Sequence, residues 1–257
     1  MISDAYITAW SSTAPWATRT QIEQDLLLGR LICEVANDAF LGSELVFRGG
    51  TCLHKLHLPV PRRYSEDLDY VRITASGIGT INNALRVLGE RLGFEVETRL
   101  GSQPKVILKA TSAEGLRMKI KVEMNTHERS PAEPHIQHPF SVESAYWTGS
   151  ALVRTFTPRE LVATKIRALY QRKKGRDLFD LWLALTELGL TGDDLLAVFT
   201  PYRPAGLTAI TAETNLRQKL DDQQFRTDLN VLVRSWPIGY DIDTAAELII
   251  VEILRRL

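Results

Sequence analysis

The cleanest periodic signal in the chain lies over 116–125. There Ile120, Val122 and Met124 fall on one side and Lys119, Lys121, Glu123 and Asn125 on the other. A period of two predicts a strand with one face buried. Segments 94–100 and 105–110 read the same way, and 44–48 and 68–73 read as two short strands. Apolar residues at helical spacing (Ile22, Leu26, Leu27, Leu31, Val35, Phe40) predict a helix over 21–40, stopped at Gly42. Two more helices are predicted, over 51–58 before Pro59 and Pro61, and over 78–92 before Gly93. The proline- and histidine-rich stretch 127–139 reads as a loop.

Past a short extended piece ending near Phe156, the pattern becomes all helical. Thr157-Pro158-Arg159-Glu160 predicts a helix start, with threonine as N-cap, proline in the first turn and glutamate closing a capping box. Gly175 is predicted to end that helix, and Asp177 to sit in the opening turn of the next, where its charge suits the dipole. Further helices are predicted near 193–199, 205–220, 224–233 and 244–256. The expected architecture is α+β: a mixed sheet flanked by helices over 1–150, then a helical domain over 151–257.

Composition adds limits. The chain has 257 residues, 44% hydrophobic and 24% charged, enough for a sizeable core. Lysine plus arginine equals aspartate plus glutamate at 31 each, so a polyanion would have to meet a local basic patch. Cys33 and Cys52 sit in apolar helical contexts, unlike a disulfide framework. The N-terminus lacks a basic stretch leading into an apolar run, and no segment approaches the ~20 apolar residues of a bilayer span. A cytoplasmic protein with no membrane association is expected.

Candidate chemistry starts at Gly49-Gly50-Thr51, upstream of Asp67-Leu68-Asp69. On a strand the two aspartates share a face while Leu68 points to the core. Adjacent carboxylates repel unless a cation lies between them, and Mg²⁺ is the usual one. A glycine turn beside them lets phosphates approach the backbone. Glu123 reads as a solvated residue on a half-exposed strand. If its strand neighbours the aspartates, it becomes a third carboxylate, enough for two Mg²⁺ ions about 3.5–4 Å apart. Lys165, mid-helix among Val162, Ala163, Ile166 and Leu169, needs an anionic partner, either Asp180 or a triphosphate. The run Arg172-Lys173-Lys174 suits a helix C-terminus, and Arg176 and Asp180 are spaced for an i,i+4 pair. Ser65 caps a turn or shares the face of Asp67. His54 and His57 read as core-edge residues. His135 and His138 are spaced for a metal, but their prolines argue against a zinc site.

Four blocks in order carry a resemblance: Gly49-Gly50-Thr51, Arg63-Tyr64-Ser65-Glu66-Asp67-Leu68-Asp69, Lys165-Ile166-Arg167-Ala168-Leu169 and Gly175-Arg176-Asp177-Leu178-Phe179-Asp180-Leu181. Together they resemble the nucleotidyltransferase-like AbiEii/AbiGii toxins, which include the MenT toxins of mycobacteria. The resemblance implies a polymerase-β-type nucleotidyltransferase fold with an appended helical domain. It implies the toxin half of a two-gene system, neutralised by an antitoxin encoded beside it. It further implies Mg²⁺-dependent transfer of a nucleotide from an NTP to the 3′ acceptor end of tRNA, blocking aminoacylation and translation. Carried over by position, Asp67 and Asp69 bind metal, Lys165 binds triphosphate, and Asp180 is the essential acid of the last block. Ser65 matches a hydroxyl that some members present for phosphorylation by a kinase-like antitoxin. Gly49, Gly50, Thr51 and Ser65 would receive the phosphates, with Lys165 and Arg176 offsetting their charge. Arg167, Arg172, Lys173 and Lys174 are the expected track for RNA phosphates. Two alternatives stay open: nucleotidylation of a protein or small-molecule hydroxyl, and a non-catalytic binding module.

Overall fold

The computed structural model describes residues 2–75, 77–101 and 104–257, which group into two compact units. The first comprises Met1–Leu56, Tyr64–Arg129 and His135–Phe156; the second comprises His57–Arg63, Ser130–Pro134 and Thr157–Leu257.

The first unit is built on a seven-stranded mixed sheet. Its strands are β1 (Leu45–Arg48), β2 (Asp67–Arg72), β3 (Glu95–Arg99), β4 (Lys105–Thr111), β5 (Arg117–Asn125), β6 (Ile136–Glu143) and β7 (Thr148–Thr155), in the order β3-β4-β5-β2-β1-β7-β6. β2 runs parallel to β5 and antiparallel to β1, and β1 runs parallel to β7. The alternation read over 116–125 is real: Met118, Ile120, Val122 and Met124 are buried, and their polar neighbours are not.

Two helices cover the apolar face of the sheet: α2 (Arg19–Asn37), after the short α1 (Asp4–Trp10), and α5 (Ile78–Arg91). Close approach explains two of their glycines. A Cβ on Gly89 would lie 2.6 Å from Leu108, and one on Gly29 would lie 2.9 Å from Val142. α2 begins at a full capping box between Thr18 and Gln21. Between α2 and α5 come α3 (Leu41–Glu44) and α4 (Gly49–Cys52), the latter continuing as a π turn over Leu53–His57. The expected stop at Gly42 therefore falls inside α3, where the glycine packs on the Ala36 carbonyl.

Part of the expected loop 127–139 is strand. Ile136, His138, Phe140 and Val142 alternate along β6, the last strand of the sheet, and Pro139 is tolerated because an edge strand needs no donor on its outer side.

The second unit holds α6 (Pro158–Gln171), α7 (Gly175–Thr186), α8 (Gly192–Phe199), α9 (Ala209–Leu220), α10 (Gln223–Thr227) and α11 (Ile242–Glu252). Thr157 caps α6 by accepting from the Glu160 backbone N–H, and Pro158 occupies the first position. Glu160 does not return to complete a capping box. Its carboxylate accepts from the Ala132 and Glu133 backbone N–H groups and the Tyr202 hydroxyl. Gly175 does not end α6; it opens α7, where a Cβ would lie 2.3 Å from the Phe225 carbonyl oxygen.

Candidate active site

Backbone register assembles the carboxylates of the first unit. Asp69 on β2 pairs with Arg48 on β1 and with Glu123 on β5, and Glu123 pairs in turn with Lys105 on β4. Register partners share a face, so Arg48, Asp69, Glu123 and Lys105 form one row in which two adjacent carboxylates are flanked by two cations. Asp67 stands one row along, opposite Lys121. The acidic side chains are neutralised locally: Lys121 Nζ lies 3.0 Å from Asp67 Oδ1, and Lys105 Nζ lies 3.1 Å from Glu123 Oε1. Partial burial alone would lower the pKa of Lys121, but the hydrogen bond and charge of Asp67, with Glu66 and Glu123 nearby, raise it above the ordinary lysine value.

Asp67 and Asp69 supply the hard oxygen donors that Mg²⁺ takes, and this ion is commonly held by one or two carboxylates plus substrate phosphates rather than by an all-protein cage. The residues present fit that pattern. Among the described residues, no group of three His, Cys, Asp or Glu side chains is arranged to hold a metal. Glu123 stands in register with Asp69, as strand adjacency requires, but its side chain is engaged by Lys105 and does not form a three-carboxylate cluster with the aspartates.

The glycine turn packs against this row. Gly49 has φ +83, and a Cβ there would lie 2.1 Å from Asp69 Oδ2. Only glycine permits both the backbone angle and the approach. Thr51, expected to meet phosphate, is buried. Its hydroxyl lies 2.8 Å from Ser65 Oγ and 2.5 Å from the Asp67 carbonyl oxygen, so it ties the turn to the start of β2. Ser65 remains half-buried on the same hydroxyl pair.

In the second unit, Lys165 is 4% exposed and its ammonium lies 2.8 Å from Asp180 Oδ2 and 3.5 Å from Asp177 Oδ1. Asp180 is its anionic partner, as the sequence allowed. The residue that sequence reasoning left without a role is Arg63. It is 2% exposed and grips Asp180 through Nε and Nη2 at 2.8 and 2.7 Å. Arg172 clamps Asp177 in the same bidentate way, at 2.6 and 2.7 Å. Three cations thus surround two fully buried aspartates. The signal for Arg63 was available, because it heads the block that ends in Asp69.

The basic run carries corrections. Arg176 does not pair with Asp180; it forms two 2.8 Å bonds to Asp228. Those bonds hold its pKa above the ordinary arginine value, and they keep the half-buried Asp228 below the carboxylate range although burial acts the other way. Lys173 pairs with Asp222 at 2.8 Å and Lys174 with Asp228 at 3.6 Å. Arg167 lies over the Tyr202 ring. Every residue expected to meet RNA therefore has an internal partner.

The family of nucleotidyl transferase AbiEii toxins, of type IV toxin–antitoxin systems, matches residues 30–247. The chain belongs to the AbiEii family. Its architecture is α+β, a seven-stranded mixed sheet flanked by helices, and the AbiEii match covers both the carboxylate strand and the Lys165/Asp180 helices. Among solved structures, MenT4, a nucleotidyltransferase toxin from Mycobacterium tuberculosis H37Rv, is similar with a TM-score of 0.52 at 16% identity, covering 96% of this chain and 99% of that one. An antigenic nucleotidyltransferase-like protein from Paracoccidioides brasiliensis matches with a TM-score of 0.40 at 17% identity, covering 83% of this chain and 94% of that one. No curated protein matches the AbiEii chain in sequence. No helix among the described residues is long and apolar enough to cross a membrane.

Proposed function

We propose that this AbiEii-family toxin transfers a nucleoside monophosphate from an NTP to the 3′ acceptor end of tRNA, blocking translation until its cognate antitoxin counters it. The observation that carries the proposal is the Gly49 backbone set against Asp69, with Asp67 on the same face of the sheet. Asp67 and Asp69 would hold Mg²⁺, with Glu123 in register beside them and paired with Lys105. That metal, when bound, would draw charge from the phosphates and favour ionisation of the attacking hydroxyl.

The remaining chemistry belongs to the chain. Gly49 and Gly50 offer a turn that phosphates can approach closely, and Thr51 and Ser65 fix that turn to β2. The acceptor hydroxyl oxygen attacks the α-phosphorus, its proton passing to a carboxylate of the same face. The bond from the α-phosphorus to its bridging oxygen breaks, and pyrophosphate leaves. Catalysis of this kind is mostly positioning and charge stabilisation. Asp180, with both oxygens engaged by Arg63 and Lys165, would act as the positioning acid of that lysine and not as a base. Ser65, half-buried beside Thr51, is where phosphorylation by a kinase-like antitoxin would add charge two residues from Asp67.

The test is incubation with labelled NTPs, Mg²⁺ and total tRNA. Label should enter RNA with the wild-type chain and not with Asp67→Ala. Label entering only protein or a small molecule would replace RNA as the acceptor.

A further inference from the structure

The acceptor strand needs cations that are available to it, and the helical run spends its charge on Asp177, Asp222 and Asp228. β5 offers an alternative. Arg117, Lys119 and Lys121 alternate with the buried Met118, Ile120 and Val122, so three cations project from the polar face of one strand. At the strand rise they span about 13 Å. Lys121 ends the row in its ion pair with Asp67. Lys109 on β4 is in register with Lys119.

Beside this row lies a concavity of about 660 Å³, lined by Glu95, Glu97, Lys109, Arg117 and Lys119. Its two acids are already matched, since Lys109 lies 3.0 Å from each. Arg117 and Lys119 are exposed, and among the described residues neither side chain has a hydrogen-bond or ion-pair partner. Two unmatched cations, spaced along a straight strand that leads to the candidate metal-binding aspartates, suit the repeating charge of a nucleic-acid backbone.

We propose that the polar face of β5 is the phosphate track for the RNA acceptor, with Arg117 and Lys119 as its contacts. This rests on the RNA-acceptor reading above. The test is filter binding of tRNA without NTP over a range of salt concentrations. For Arg117→Ala/Lys119→Ala, the slope of log affinity against log salt should fall in magnitude by about 2, roughly one per lost contact. Thermal melting should be unchanged, Lys119→Arg should keep the wild-type slope, and Lys173→Ala/Lys174→Ala should lower it less. A double strand variant that binds tRNA with the wild-type slope overturns the track and leaves the acceptor reading standing. A wild-type chain that binds no tRNA but labels protein or a small molecule overturns the acceptor reading, and the track with it.

Discussion

Gly49 and Asp69 touch so closely that a Cβ on the glycine would sit 2.1 Å from Asp69 Oδ2, on a backbone whose φ is already +83. The turn and the carboxylate are one unit. Gly49→Ala should cost about 1–3 kcal/mol for the strained backbone, displace Asp69 and abolish nucleotide transfer. Urea denaturation and the labelling assay measure the two effects separately. Wild-type transfer by this variant would remove the turn from the site.

Asp67 allows charge to be separated from structure. Its pair with Lys121 is about one-third exposed on both sides, at 35% and 36%, so Asp67→Asn should change stability by no more than ~1 kcal/mol. Transfer should nonetheless fall below detection. A variant with wild-type stability and retained transfer would exclude Asp67 from the chemistry.

Arg63 is predicted to matter more for folding than any exposed cation. Arg63→Ala would leave Asp180 buried with Lys165 as its counter-charge, at a cost of about 3–5 kcal/mol. Arg63→Lys cannot restore two parallel bonds and should recover only part. Denaturation midpoints of the two variants and of Asp180→Asn check this. Equal midpoints for Arg63→Ala and the wild type would contradict it.

Lys219 gives a pH signature. It is 7% exposed, donates to the Leu169 and Tyr170 carbonyls at the end of α6, and burial lowers its pKa to about 8. Between about pH 8 and the ordinary lysine value, the unfolded chain holds a proton that the folded chain has lost. Stability should therefore rise with pH across that window and be flat below it. The difference in unfolding free energy between wild type and Lys219→Met, followed from pH 7 to 10, reads this out. A wild-type-minus-variant unfolding free energy that falls as pH rises above 8 would reverse the assignment.

Much of the architecture could be read from local pattern, because burial imposes a period on each element. The alternation of Ile120, Val122 and Met124 marked β5, and Thr157-Pro158 marked the start of α6. The misreadings came where a residue serves a distant neighbour. Gly175 looks like a helix stop, yet it makes room for the Phe225 carbonyl. Glu160 looks like a capping glutamate, yet it binds the 132–133 backbone and Tyr202. Pro139 hid β6, since its tolerance depends on lying at the sheet edge.

The site divides the same way. Order and spacing in the chain determined the residue types: two aspartates on one strand face, a glycine turn before them, a helical lysine with an acid downstream. Tertiary structure decided the partners. It set Glu123 beside Asp69 through parallel pairing of β2 and β5, bound Arg63 to Asp180, and matched the helical basic run with acids far along the chain. The reason is physical. Periodicity reports whether a side chain faces core or solvent, whereas the partner of a charge depends on which distant segments burial brings together.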